Sequence, residues 1–293
     1  MRSLPDHGRF DYSPIVGRAR YDWPGGARLA AYIGFNLEHF AFGEGLGARL
    51  APAAPGVDVL NHSWREYGNR VGAWRCLVLF EDLDLPVGAI VNTALADHAP
   101  ELIGACVARK DELIAHGRSN AEAQGDWPRL AEREMLVACR ERLAAIAAGA
   151  PPQGWLSPWI SESHDTPELL VETGYRYTLN WSHDDQPTRM TTAAGPLWSV
   201  PYPQELNDIP AIVARQMTGS DFADMIVDQF DEMLLQSREQ PLVMGIALHP
   251  YLVGQPHRLK HLRRALQHVA ASPSVWWSTP GRICDAAEAA GSA

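Results

Sequence analysis

Short apolar runs alternate with amphipathic segments along most of the chain. Residues 28–35 form a continuous apolar run, which is typical of a strand buried on both faces. In 221–237 the apolar residues recur instead every three or four positions, as on one face of a helix. From such patterns we predict strands at 28–35, 86–92, 111–115, 154–159, 175–180, 197–200, 242–248 and 274–278. We predict helices within 71–85, from Pro100, over 128–148, from Thr166 to Gly174, over 221–237 and over 257–271.

Strands that alternate with helices imply a mostly parallel sheet with both faces covered. A closed or nearly closed barrel is our first expectation and an open doubly wound sheet the second. No break in composition divides residues 1–293, so a single domain is expected. The polar residues 36–39 stand where a Gly-rich phosphate loop would follow the first strand, which disfavours nucleotide binding. Residues 1–28 are expected to form an arm on the barrel, and 40–68 a long loop.

Composition narrows the class of protein further. Hydrophobic residues make up 46% of the 293 positions and charged residues 20%, which is globular. The formal charge of −10 argues against a nucleic-acid or anionic-membrane partner. The four cysteines form no CxxC pair, so neither a disulfide framework nor a cysteine zinc site is expected. The first residues lack the apolar core of a secretory signal, and no apolar run approaches a membrane span. We therefore expect a soluble, cytoplasmic protein with a small-molecule substrate.

Polar and aromatic residues recur where the predicted strands end. The carboxyl ends of parallel strands converge on one mouth of a barrel, where catalysis usually occurs. These strand-end residues are Glu38, His39, His116, Trp159, Trp181, Tyr202 and His249.

The two candidate imidazoles at strand ends differ in their surroundings. His249 precedes Pro250, which favours extended backbone and holds the imidazole at the end of an apolar strand. His116 is followed four residues later by Asn120, and an amide is a poor zinc ligand. Glu38 and His39 are consecutive, so we expect only one of them to face the mouth.

Three further groups of polar residues are candidates for the site. Glu205 and Asn207 form a polar cluster with Asp208 just after a predicted strand, which favours a role in the site. For Asp184 and Asp185, a turn before Pro187 and a substrate contact are equally good interpretations. The histidines of the basic helix over 257–271 are better explained as a solvated face than as a metal site.

In their order, these residues resemble the polysaccharide deacetylase (NodB-homology) superfamily, from about residue 23 to residue 280. That family's first motif, a strand ending in two Asp, is matched in place by Asn36-Leu37-Glu38-His39. Its second motif, with two His four apart, is matched by His116 and Asn120, and its last by Leu248-His249. Segments 155–159 and 180–185 fall where the third and fourth motifs belong.

The departures from that pattern point to one branch of the family. The metal-binding Asp is replaced by His39, the second metal His by Asn120, and the third motif lacks its Arg. The chain is more similar to the cofactor-independent allantoinases and cyclic imide hydrolases. The shared features are Trp23-Pro-Gly-Gly-Ala-Arg28, the Asn-x-Glu at 36–38, and Pro-Tyr followed by Asn207-Asp208.

The resemblance implies a deformed (β/α) barrel of about seven parallel strands, hydrolysis of a non-peptide C–N bond, and a homo-oligomer, a dimer or tetramer. Without zinc, a side-chain base must activate water, which favours activated rings such as cyclic imides and ureides. Glu38 would be the base, His249 the acid that protonates the leaving nitrogen, and His116 the group that polarises the carbonyl.

The expected substrate contacts are His39, Asn120, Trp159, Trp181, Tyr202, Glu205 and Asn207, with no metal or other cofactor. Two alternatives stay open. One is a zinc-dependent N-deacetylase of an acetylated amino sugar, with His39 and His116 as ligands. The other is a barrel that binds a small molecule without catalysis.

Overall fold

Strand β1 (Leu29–Leu37) lies in the middle of the sheet, and every one of its nine residues is buried. It pairs in parallel with β8 along one side and with β2 and β9 along the other. A strand covered on all sides needs an unbroken apolar run, which is what the sequence supplies. The computed structural model describes residues 6–53 and 55–291.

One sheet contains all the strands in the described residues. Its neighbouring strands are parallel, except for one antiparallel pair. The strands are β1, β2 (Val87–Val91), β3 (Glu112–Ala115), β4 (Gly154–Trp155), β5 (Tyr177–Thr178), β6 (Thr188–Thr192), β7 (Gly195–Ser199), β8 (Leu242–Leu248) and β9 (Val275–Trp277). Their order is β6-β7-β5-β4-β3-β2-β1-β8, with β9 paired to β1. The sheet is curled into the deformed, parallel-dominated barrel that the sequence predicts.

The barrel is closed by loops and not by a strand ladder between β7 and β8. Ala247 donates its backbone N–H to Leu206 at 3.1 Å, and Val243 donates to Asp185 at 2.8 Å. The loops that follow β5 and β7 therefore both lie against β8, and the second of them places Asn207 and Asp208 beside the end of β8.

Helices cover the outside of the sheet. They are α1 (Val59–Tyr67), α2 (Ala73–Asp82), α3 (Leu95–His98), α4 (Pro100–Arg109), α5 (Arg129–Ile146), α6 (Thr166–Glu172), α7 (Gly219–Gln236), α8 (Pro250–Val253), α9 (Pro256–Ala270) and α10 (Pro280–Ala289). A smaller apolar cluster fills the barrel interior, where α10 contributes Ile283 and Ala287 from one end. Among the described residues, no helix is both long and apolar enough to cross a bilayer.

Most predicted elements are confirmed, and the differences have local causes. The predicted loop over 40–68 is wrong at its end, because α1 starts at Val59 behind the capping side chain of Asp58. A π-helical turn over 68–72 joins α1 to α2. The predicted strand over 154–159 ends after Trp155, since Pro158 begins a short 3-10 turn. The hairpin partner of β7, strand β6, was not predicted, because its alternating Thr and Arg residues carry little apolar signal.

Candidate active site

A cavity of about 190 Å³ opens at the carboxyl ends of the strands. Glu38 follows β1 directly and is 94% buried in its wall. The backbone carbonyl of Glu38 accepts a hydrogen bond from Asn69 Nδ2 at 2.9 Å, which links the strand end to the π turn. The backbone of Glu38 is thus fixed at the edge of the cavity.

The Glu38 carboxylate is the centre of the site. Its Oε1 lies 3.7 Å from His116 Nε2 and 3.5 Å from His249 Nε2. The same oxygen accepts a hydrogen bond from the amide of Asn120. Its other oxygen accepts from the hydroxyl of Tyr251 at 3.0 Å. Side chains from parts of the chain that are far apart in sequence therefore contact one carboxylate.

His249 is held in place by Asp208. The backbone at His249 is extended, as expected before Pro250, and the ring directs Nε2 toward Glu38. Its Nδ1 donates to Asp208 Oδ1 at 2.6 Å, while its backbone N–H donates to Asp208 Oδ2 at 2.7 Å. Both oxygens of a fully buried carboxylate thus fix one imidazole, and this determines which ring nitrogen faces the cavity.

The charges of this group depend on one another. Burial acts to raise the pKa of Glu38, but the His249 and His116 imidazoles outweigh it and hold that pKa at about 2. Burial acts to lower the pKa of His249, but Asp208 and Glu38 outweigh it and raise that pKa to about 10. At neutral pH the site therefore holds a Glu38 carboxylate next to a His249 imidazolium. Burial raises the pKa of Asp208, although the contact with His249 opposes that shift.

His116 is oriented by a backbone carbonyl. Its Nδ1 lies 2.6 Å from the carbonyl oxygen of Leu156, which can only accept, so this nitrogen carries a proton. Nε2 is then free to face Glu38. It can donate to a substrate oxygen only when the ring is an imidazolium, because the proton of the neutral form is already on Nδ1.

Asn120 and Trp159 form one wall together. Asn120 Oδ1 accepts from Asn92 Nδ2 at 3.0 Å, so its own Nδ2 is directed to Glu38. The indole of Trp159 donates to the carbonyl of Asn120 at 2.9 Å. Trp159 and Ile160 both have positive φ, 60° and 52°, and both line the cavity. Such backbone is costly for non-glycine residues and is often found at functional sites.

Tyr202, Asn36 and Asn207 line the opposite wall. Asn36 Nδ2 donates to the Tyr202 hydroxyl at 3.0 Å, and Tyr202 is buried. Asn207 Oδ1 accepts from the backbone N–H of Ile209 at 3.0 Å, which fixes the amide plane. Among the described residues, no protein group accepts a hydrogen bond from Asn207 Nδ2.

Three predicted substrate contacts lie outside this cavity. His39 points away from it, with its ring centroid 4.7 Å from that of His98. Trp181 donates to Glu162 at 3.0 Å and packs against Phe10 of the N-terminal arm. Glu205 is exposed and forms an ion pair with Arg215. The backbone turns these three side chains away from the cavity.

The acidic turn and the basic helix form ion pairs away from the cavity. Asp184 forms a bidentate ion pair with Arg18, 2.7 Å from Oδ1 to Nη1, which anchors the arm. On α9, His268 pairs with Asp231 at the surface. Asp208 and Tyr251 complete the site. The sequence placed Asp208 in the polar cluster with Glu205 and Asn207, but its contact with His249 was not predicted. Tyr251 was not among the sequence-based site residues, because it lies within α8 and carried no signal.

The zinc ligands of the family do not have equivalents that fit a metal here. His39, in place of the metal-binding Asp, faces away from the cavity, and Asn120, in place of a ligand His, donates to Glu38. Within 6–53 and 55–291, no group of three or more His, Cys, Asp or Glu is arranged to hold a metal ion. This donor set lacks the three strong ligands that catalytic zinc requires.

Comparisons with known proteins agree with this architecture. No family model matches the chain. It is 26% identical over 283 residues to a Schizosaccharomyces pombe protein named as a polysaccharide deacetylase, covering 89% of this chain and 86% of that protein. It is 23% identical over 253 residues to a peptidoglycan deacetylase of Helicobacter pylori, covering 75% and 84%.

Solved structures of similar fold come from the same kinds of protein. PuuE allantoinase superposes with a TM-score of 0.84 at 26% identity, covering 96% of this chain and 98% of that one. A protein of Pseudomonas aeruginosa PAO1 described as a polysaccharide deacetylase superposes with a TM-score of 0.83 at 26% identity, covering 94% and 98%. In sequence and fold the chain is similar to the polysaccharide deacetylases of the NodB-homology superfamily, and it is a hydrolase of carbon–nitrogen bonds other than peptide bonds.

Proposed function

We propose that this protein hydrolyses a cyclic imide, a cyclic ureide or a related amide by general acid–base catalysis without a metal ion. The observation that carries the proposal is the buried row Asp208–His249–Glu38, in which one imidazole separates two carboxylates. The structural likeness to an allantoinase, whose name denotes a cyclic ureide as substrate, supports the same class.

The protonation states suit the two roles. A general base must be deprotonated and a general acid protonated at the same pH. The pKa of Glu38 near 2 and that of His249 near 10 satisfy both conditions over a wide range. Glu38 takes a proton from water as the water oxygen attacks the carbonyl carbon, and His249 gives its proton to the leaving nitrogen. Asp208 keeps the His249 ring in position through its contact with Nδ1.

Substrate binding strengthens the base. In the free protein the contact with His249 makes Glu38 a weak proton acceptor, since a base with so low a pKa has little driving force. A substrate and its attacking water must enter between Glu38 and His249, which are 3.5 Å apart. Separating the two groups removes the interaction that lowers the pKa of Glu38, so its basicity rises where it is needed.

Donors on the cavity wall would stabilise the oxyanion. Asn207 Nδ2 has no protein acceptor among the described residues, and its amide plane is fixed by Ile209. His116 can add a second donor through Nε2 when it is an imidazolium. Such fixed donors in a buried site lower the barrier for acyl transfer. They are weaker than a metal ion, which favours electron-poor carbonyls such as those of imides and ureides.

Substitution of the two central groups tests these roles. Glu38→Gln and His249→Ala should each lower kcat by about 10²-fold or more on the best substrate found, without loss of the folded state. Glu205→Gln is the matched control, because this carboxylate is exposed and outside the cavity. Near-native kcat in either central variant would contradict the assigned role.

One observation favours a second candidate, a zinc-dependent N-deacetylase. His116 donates from Nδ1 to a backbone carbonyl and leaves Nε2 free, which is the usual arrangement of a metal-ligating imidazole. One relative is named as a peptidoglycan deacetylase. This candidate requires stoichiometric zinc and release of acetate from N-acetylglucosamine oligomers. Both can be measured on protein purified without a chelator.

A further inference from the structure

Few ionisable side chains line the cavity. Its ionisable residues are Glu38, His116 and His249, and its other lining residues are amides, aromatic rings, aliphatic side chains and one serine. No lysine or arginine lines it among the described residues. The His249 imidazolium is already shared between Asp208 at 2.6 Å and Glu38 at 3.5 Å. The His116 Nε2 faces the same Glu38 oxygen at 3.7 Å, so both imidazoles of the cavity already contact a carboxylate, and no further cation is available to an anionic ligand.

The nearest buried guanidinium does not change this. Arg65 lies against the ring of Phe40, with its Cζ 4.5 Å from the ring centroid. Its Nη1 donates to the carbonyl of Ala48 at 2.7 Å. Phe40 and Ala48 line the cavity whereas Arg65 does not. Arg65 thus supports the wall from behind.

The polar groups that are available suit an uncharged ligand. Asn207 is 94% buried, lines the cavity, and has an amide Nδ2 with no acceptor in the described part of the chain. This donor is open to the cavity, and a neutral carbonyl oxygen can accept its hydrogen bond. A ligand carboxylate would instead lie near the Glu38 carboxylate with no free cation to compensate its desolvation.

We propose that the site selects an electrically neutral ring and discriminates against the same ring carrying a carboxylate. This inference rests on the proposed hydrolysis of a cyclic amide and narrows its substrate class. It also has a consequence for the product. Water adds to the carbonyl carbon, the ring C–N bond breaks, one water proton ends on the nitrogen, and the new acid ionises to a carboxylate. The product therefore gains the charge that the cavity disfavours, which promotes its release.

A matched pair of probes tests the proposal. Dihydrouracil and dihydroorotate share one ring and differ by a carboxylate, and hydantoin and hydantoin-5-acetic acid differ by a carboxymethyl group. For the pair that the wild-type protein hydrolyses, we expect kcat/KM to be about 100-fold or more higher for the neutral ring. Equal kcat/KM values within a pair would overturn the charge selection and leave the C–N hydrolysis itself standing.

A variant that is expected to gain activity on the carboxylate-bearing ring provides a second test. Gln204 is exposed and lines the mouth of the cavity, outside the catalytic group. Gln204→Arg should raise kcat/KM for the carboxylate-bearing ring about tenfold relative to that for the neutral ring, because a cation then pairs with the carboxylate. Gln204→Met is the uncharged control. No gain with arginine would count against the proposal.

If no ring in either pair is hydrolysed, the proposed function fails, and calorimetric binding of the same four probes decides the charge question separately. Tighter binding of the neutral member supports charge selection. Equal binding of both members, or binding of neither, overturns it.

Discussion

At the scale of single residues, the site depends on side chains that directly follow buried strands, because the carboxyl ends of parallel strands meet at one mouth of the barrel. Glu38, His116 and His249 come directly after apolar strands, and the structure places all three around one cavity. His39 shows the limit of this reasoning, since alternation along the chain turns it away while its neighbour Glu38 faces inward. Asp208 comes from a loop without periodicity, so its contact with His249 could not be predicted.

The pair Asp208–His249 leads to a prediction on pH dependence. The His249 imidazolium is the acid, so activity should be lost as the pH rises through its raised pKa of about 10. Asp208→Asn removes one of the two carboxylates that raise this pKa. The alkaline limb of the kcat/KM profile should then move to lower pH, and kcat should fall about 10²-fold.

The control for this experiment is Glu205→Gln, three positions away and fully outside the cavity, which should keep the wild-type profile. An alkaline limb that stays in place in Asp208→Asn would show that His249 is not the titrating acid.

At the scale of elements, the π-helical turn over 68–72 positions part of the site. Asn69 in this turn binds the backbone of Glu38, and Gly68 and Gly72 pack against α8, which carries Tyr251. A β-carbon on Gly72 would lie 2.1 Å from the carbonyl oxygen of Pro250. The turn and α8 can approach this closely only because glycine has no side chain. Single π turns of this kind are frequent at functional sites.

Gly72→Ala should therefore destabilise the protein by about 1–3 kcal/mol, because the backbone next to His249 must move. It should also lower kcat. The matched control is Gly104→Ala in α4, where a β-carbon would meet nothing within 4 Å. That variant should be neutral or stabilising by up to about 1 kcal/mol. Chemical denaturation of both variants gives the comparison, and equal stabilities would contradict the packing account.

The elements also show what sequence patterns leave undetermined. The strand Leu242–Leu248 agrees with the prediction at both ends, because an apolar run between polar residues has clear limits. Strand β6 was missed, because an edge strand exposed on one side needs few apolar residues. Trp159 was predicted in a strand, whereas Pro158 starts a turn that leaves the indole 44% exposed at the cavity.

At the scale of the whole molecule, large apolar side chains are exposed along the outer helices α1 and α2. Val59, Leu60, Trp74 and Val78 on α1 and α2 are all exposed. Contiguous exposed apolar patches often mark protein–protein contacts. The homo-oligomer implied by the family resemblance stays a prediction, and this helical surface is our candidate for its interface.

Light scattering during size-exclusion chromatography should therefore give a dimer or tetramer of the 32.3 kDa chain. Val78→Glu should shift the mass toward the monomer, because a charge in an apolar interface is costly. Leu130→Glu, on an exposed position of α5, is the control and should leave the mass unchanged. A wild-type monomer at all concentrations would contradict the prediction.

Glu38 and His249 are proposed to hydrolyse an activated cyclic C–N bond without a metal ion. The most direct measurement is the turnover of allantoin, hydantoin, dihydrouracil and succinimide by protein purified without a chelator, before and after chelator treatment, with the zinc content determined in parallel. We predict turnover of at least one ring, substoichiometric zinc, and the same rate after treatment. Stoichiometric zinc together with activity that is lost to the chelator and restored by zinc would contradict the claim.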